Sequence, residues 1–262
     1  MIRNLFAVAL SVLVAFSGGV GAQGYPDRTV KLVVGFPPGG TNDVIARLIA
    51  AKLQERFKQT FVVENKPGAA SMIAAESVAK SPADGYTLLV APSGALTINP
   101  AIYSKVPYDP VADFAPVALL GSFPLVVTVN NASPLKDLKG MVEASRKAAS
   151  GLNHGVGSST FQLAAEVLSK DSGAKFTHVN YKGSAATANA LLTGEIDIAV
   201  IDIAPVAPLI RGGKLRALAV STAKRAALLP EVPTVGELGI KGYDISIWTG
   251  LVTPKGTPES VI

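Results

Sequence analysis

The chain has 262 residues, 48% of them hydrophobic and 16% charged, with a formal net charge of +5. That apolar content can build a real core, and the low charge excludes disorder along the chain as a whole. There is no Cys, which excludes a disulfide-stapled scaffold, thiolate chemistry and a lipoprotein anchor.

The first segment reads as an export signal. Arg3 supplies a positive charge, residues 5–16 form an apolar run, and Val20 and Ala22 fit the small-residue pattern of a cleavage site. The run is too short for a membrane-spanning helix, which needs about 20 residues. Cleavage is expected after Ala22, and no later stretch is long and apolar enough to cross a bilayer. Lys and Arg are scattered rather than clustered, so a nucleic-acid surface is not indicated. A mild positive field would assist capture of anions.

Strand-like and helix-like segments then alternate. Residues 31–36 read as a buried strand, followed by a helix over 43–57 with Ile45, Leu48, Ile49, Leu53 and Phe57 on one face. Residues 61–64 form a strand, 71–80 a helix and 86–91 a strand. After an irregular stretch rich in Pro and Tyr come strands at 115–120 and 125–130. The rhythm repeats with helices at 135–149, 160–170 and 185–192. Strands are expected at 153–156, 176–181, 196–201, 215–220 and 244–253. Many strands are continuous Val, Ile and Leu runs, the pattern of mostly parallel sheets covered on both faces by helices.

Two successive α/β units in one exported chain predict two lobes with a cleft between them. The lobe switch is expected near residues 121–124, with a second crossing near 244–247. The predicted organisation is a signal peptide over 1–22, a first lobe over 23–121 plus 246–262, and a second lobe over 122–245. A helix start is read at Thr257-Pro258. The sequence stops one turn later, so a truncated frame or lost tail is expected.

Four strand-to-helix turns share one design. They are residues 37–43, with Gly39, Gly40, Thr41 and Asp43; 65–71, with Ala69 and Ala70; 155–160, with Ser158, Ser159 and Thr160; and 181–184, with Tyr181 and Gly183. Small residues let backbone approach a ligand. A helix start offers unpaired N–H groups and the positive end of the dipole. Together they can hold an anion without a charged side chain. Caps and tight turns alone would also favour these residues. Asp43 suits helix capping as well as a ligand role, Asp202 closes a strand that could face the cleft, and Phe36, just before the first glycine loop, is a candidate to face the ligand. Trp248 and His178 read as core or edge residues, and His154 stands just before the third loop.

Enzyme signatures are sparse. Ser93 lies in Pro92-Ser93-Gly94, not in a nucleophile elbow, and Thr160 replaces the third glycine of a dinucleotide fingerprint. Two histidines cannot supply a usual zinc site alone. No cofactor or metal is therefore expected. A periplasmic hydrolase or lyase would need a Ser beside a base such as His154.

The assembled residues resemble the Bug family of receptors for tripartite tricarboxylate transporters over nearly all of the mature chain. The marks are Tyr25-Pro26, Gly35-Phe36-Pro37-Pro38-Gly39-Gly40 with Asp43, Glu64-Asn65-Lys66-Pro67-Gly68-Ala69 and Asp84-Gly85-Tyr86. Further marks are Tyr108-Asp109-Pro110, Asp113-Phe114-Ala115-Pro116-Val117, Tyr181-Lys182-Gly183 and Leu229-Pro230-Glu231-Val232-Pro233-Thr234. The resemblance implies an α/β, two-lobed periplasmic solute-binding protein of type II. It implies a monomer that captures a small organic carboxylate and hands it to integral membrane transporter subunits; a receptor for a sensor kinase is the alternative. It carries the ligand-binding role onto Gly39, Gly40, Thr41, Asp43, Ala69 and Ala70, and further onto Ser93, Ser158, Ser159, Thr160, Tyr181, Gly183 and Asp202. Ala70, Ser71 and Ala74 stand where the family usually has glycines, and Gln162 where many members have His.

Overall fold

The computed structural model describes residues 24–262, so the export signal and its cleavage point lie outside the described residues. The first half begins with β1 (Val30–Val34), α1 (Thr41–Phe57), β2 (Phe61–Asn65), a 3-10 turn (Ala69–Ser71), α2 (Met72–Ala79) and β3 (Thr87–Pro92). β1 pairs in parallel with both β2 and β3. Leu32 and Val34 pack with Ala46 and Ala50 of α1, while Val33 packs with Ala74, Ala75 and Val78 of α2. Each face of β1 is thus covered by one helix, which is why its residues form an unbroken apolar run.

α1 departs from the expected face. Its buried residues are Thr41, Asp43, Ala46 and Ala50, and Leu48 and Phe57 are exposed. The helix sits close on the sheet through alanines, and the larger residues flank the contact or turn outward. After β3 the irregular stretch contains a π turn (Gly94–Ile98) and a short helix, α3 (Asn99–Ile102).

Next comes one long strand, β4 (Phe114–Asn130), where two strands separated by a break were expected. Register shifts at Pro116/Ala118 and Leu119/Gly121 bend it without ending it. Residues 114–124 pair antiparallel with β9 (Ser246–Pro254), which itself pairs antiparallel with β3. From Leu125 onward the partners are β7 (Ala199–Asp202) and β8 (Leu215–Val220), both antiparallel. The strand therefore leaves one sheet and enters another between Pro124 and Leu125. Ser221 pins that point, accepting the Leu125 N–H through Oγ and donating to the Ile245 carbonyl.

The second half contains α4 (Leu138–Lys147), β5 (Leu152–Val156), α5 (Ser159–Ser172), β6 (Phe176–Asn180), α6 (Ser184–Thr193) and α7 (Ile203–Arg211). β5 and β6 are parallel, and a His154–Ile198 bridge ties them to the strand residues leading into β7. One large core joins β4, β7 and β8 to α4–α7 through Leu125, Val127, Met141, Leu168, Leu191, Ile201, Val206 and Leu229. Both sheets are mixed: the outer strands are parallel and the crossing strands antiparallel. Helix α7 was not foreseen. At Thr257–Pro258 only a turn is present, with the Val261 N–H on the Pro258 carbonyl at 2.9 Å.

Candidate functional site

Between the two sheets lies a cleft of about 370 Å³. It is lined from the first half by Phe36, Gly68, Ala69, Ala70 and Tyr103, and from the second by Gly157, Ser158, Ser159, Gln162, Tyr181 and Gly183. A narrower inner chamber continues it, sharing Phe36, Ala70, Ser158 and Ser159 and adding Gly40, Thr41, Ser93, Thr160, Ser184, Asp202 and Trp248. Lys182 is the one charged side chain among the described residues lining the outer cleft. Of the residues picked out from sequence, the structure brings twelve to this space. Gly39 and Asp43 line neither part.

Asp43 supports the first glycine loop. Its Oδ2 accepts the Gly39 N–H at 3.1 Å and the Arg47 Nε at 3.0 Å. Its Oδ1 accepts Arg47 Nη2 at 3.0 Å and Asn65 Nδ2 at 2.9 Å. Asn65 also donates to the Phe36 carbonyl at 2.9 Å. Burial alone would raise this carboxyl; the hydrogen bonds from Arg47, Asn65 and Gly39 outweigh it and leave the pKa below its ordinary value. Both oxygens are bonded to the first glycine loop and its neighbours, and Asp43 lines neither part of the cleft. Gly39 is held by the same bond and has a left-handed φ of 92°.

The second loop is built from strained backbone. Gly68, Ala69, Ala70 and Ser71 all have positive φ, at 136°, 45°, 51° and 75°. Three of the four carry a Cβ, which makes this conformation costly, and the turn closes through the Ser71 N–H on the Gly68 carbonyl at 3.0 Å. Ser71 is fully buried under Gly35, where an added Cβ would stand 1.8 Å from Ser71 Oγ. No signal in the sequence revealed this, because alanine is not a marker of left-handed backbone.

The third loop is conventional by contrast. Ser158 is extended and its Oγ accepts the Phe161 N–H at 3.4 Å, capping α5. The first turn of α5 leaves the amides of Ser159 and Thr160 without intrahelical acceptors. Ser159 Oγ donates to Asn99 Oδ1 at 2.8 Å, and Asn99 Nδ2 donates to the Ala70 carbonyl at 2.9 Å, so a buried Asn joins the third loop to the second. Asn99 lies in the stretch that sequence reading left irregular.

The fourth loop presents Gly183, where an added Cβ would lie 3.4 Å from Pro37 Cδ. The Tyr181 hydroxyl is spent on Glu195 Oε1 at 2.8 Å; desolvation and that carboxylate raise its pKa to about 12. Asp202 is 2% exposed and its Oδ2 accepts the Thr41 N–H at 3.3 Å across the cleft. Burial raises its pKa above the ordinary carboxylate value. Trp248 is half-buried on the inner chamber wall and not in the core.

His154 is fully buried, and its ring nitrogens are spent away from the cleft. Nε2 accepts the Val200 N–H at 3.1 Å, so the proton sits on Nδ1, facing His178 Nδ1 at 3.0 Å. His178 Nε2 meets Glu166 Oε1 at 2.6 Å. Burial, then the neighbouring His178, lowers the His154 pKa to about 3. The Ser–His pair that a hydrolase would require is not formed by this residue.

Two α/β lobes joined by crossing strands, with a cleft between them lined by strand-to-helix loops of both, are the architecture of a solute-binding protein. Residues 45–262 match the model of the tripartite tricarboxylate transporter family receptor. Protein BugT of Bordetella pertussis is 35% identical over 268 residues, spanning 100% of this chain and 82% of the relative. The chain belongs to this receptor family. Among solved structures, Rpa4515 of R. palustris with adipate is 38% identical with a TM-score of 0.88, covering 90% of this chain and 80% of that one. MatC (Rpa3494) from Rhodopseudomonas palustris with bound malate is 33% identical with a TM-score of 0.86, covering 90% and 81%.

Proposed function

We propose that the protein is a periplasmic receptor that captures a small organic carboxylate in the interlobe cleft and delivers it to the membrane subunits of a tripartite tricarboxylate transporter, without catalysis. The carrying observation is that Ala69 and Ala70 of the first half line one cleft together with Ser158 and Ser159 at the start of α5. Neutral backbone donors from both lobes suit a carboxylate, and no buried cation has to be desolvated. Adipate and malate in the two related structures support this ligand class. The first lobe comprises residues 23–121 and 246–262 and the second 122–245, with β4 as the joint. The protein works as a monomer and reaches the periplasm by its signal peptide, cleaved after Ala22.

The test is calorimetry and thermal melting of the mature chain against a panel of mono-, di- and tricarboxylates. One or more should bind saturably and raise the melting temperature, since ligand at 100 times Kd adds about 2.7 kcal/mol. Mass spectrometry should recover that acid unchanged. A folded sample that binds no member of the panel would overturn the proposal.

A further inference from the structure

We propose that Asp202 is a positioning residue that latches the two lobes together, and that in doing so it removes the N-terminus of α1 from the set of amides available to the ligand. Asp202 ends β7 of the second lobe at the N-cap position of α7, where its side chain makes no cap bond, while Thr41 is the first residue of α1 in the first lobe. Their hydrogen bond at 3.3 Å joins residues 161 apart in sequence, and both side chains are buried, at 2% and 3% exposure. Asp202 Oδ1 and Thr41 Oγ1 are buried with no hydrogen-bond partner among the described residues. At 3.3 Å the Thr41–Asp202 bond is at the long end of the hydrogen-bond range, so it can break and re-form as a reversible latch requires. The first glycine loop, singled out from sequence as an anion site, is thus served by the protein's own carboxylate. A ligand carboxylate there would have to displace Asp202 from the Thr41 N–H. The ligand's carboxylate is therefore confined to the outer cleft, against Ala69, Ala70 and the start of α5. This reading deepens the capture proposal and depends on it only for the ligand's position.

The experiment removes the donor without touching Asp202. Thr41 occupies the first helical position after an extended Gly40 (φ −83°, ψ 169°), where proline is well tolerated and its missing N–H breaks no helical bond. Thr41→Pro deletes the latch amide; Thr41→Ala keeps it. The chain has no Cys, so Lys52→Cys and Lys170→Cys, both exposed and one in each lobe, can carry spin labels for distance measurement. In the ligand-free mature protein, Thr41→Pro and Asp202→Ala should lower the closed fraction at least threefold. The Ser159–Asn99 link should keep some closed form in both. Thr41→Ala and Asp202→Asn, which can still make the bond, should resemble the unmutated protein. The latch is overturned if Thr41→Pro matches the unmutated protein, if Thr41→Ala shifts as far as Thr41→Pro, or if the unmutated protein shows no closed population. Should Asp202→Ala fail to melt cooperatively, the Thr41 pair decides alone. Failure of the capture proposal looks different: the ligand-free distances change as stated, but no carboxylate of the panel alters them.

Discussion

The α5 turn of the second lobe and the α1 and α2 turns of the first are built in opposite ways. In the second lobe, the start of α5 is capped locally by Ser158, and its end by Gly173 in the left-handed conformation. In the first lobe neither α1 nor α2 has a side-chain cap at its start. The α1 terminus relies on Asp43 from within and Asp202 from across the cleft, and α2 is entered through four residues at positive φ. A helix that satisfies itself locally can be cut out and read by rule. A helix end left open is completed by something distant, here the other lobe and, in the proposed function, the ligand.

The contrast can be broken most sharply at Gly35. A Cβ there would meet Ser71 Oγ at 1.8 Å and Ser71 Cα at 2.8 Å, so backbone of the strained loop must move. Gly35→Ala should cost about 3 kcal/mol, the upper end for overpacking, and abolish carboxylate binding; denaturant unfolding and calorimetry would show both. Unchanged stability would mean the loop is slack.

The second lobe has its own weak point, and it responds to pH. His154 is held neutral, with a folded pKa of about 3 against an ordinary 6.5. The unfolded chain binds the extra proton, so this contribution to stability is complete above about pH 6.5 and is lost as pH falls from there toward 3. The slope approaches about 1.4 kcal/mol per pH unit, or about 2 kcal/mol between pH 7.5 and 5. His154→Gln should flatten that dependence in denaturant titrations at the two pH values. An equally steep loss in the variant would assign it elsewhere.

The smallest effects should differ in sign between the lobes. Ser158→Ala removes a cap and should cost about 1 kcal/mol. Ala70→Gly relieves a left-handed residue at φ 51°, and the relief should match or exceed glycine's added chain entropy of about 0.5–1 kcal/mol. Melting curves of the two variants should therefore move apart, Ser158→Ala downward and Ala70→Gly level or slightly upward.

Much of the architecture was legible because the apolar runs of β1, β3, β7 and β8 and the glycine-bearing turns obey local rules. What failed was set by distant contacts. Pro205 and Pro208 hid α7, whose core contacts through Val206 and Ala207 outweigh the interruption. Leu48 belonged to a plausible helical stripe, yet Ala46 and Ala50 make the sheet contact. The break expected near 121–124 is bridged by pairing with β9, which lies more than a hundred residues later in the chain. At the site, Ser158 and Gly183 could be chosen from sequence. The true partners of Asp43 and Asp202, and the Asn99 bridge, depend on chain segments brought together only by the fold.

The most direct test is to titrate the isotope-labelled mature protein with a carboxylate that binds and to follow each backbone amide by NMR. The amides of Ala69, Ala70, Ser159 and Thr160 should shift together and saturate at one Kd, with Thr41 keeping its ligand-free hydrogen-bond signature. If the Thr41 amide instead took up the carboxylate while Ala69 and Ala70 stayed still, the assignment of the gripping loop would be wrong.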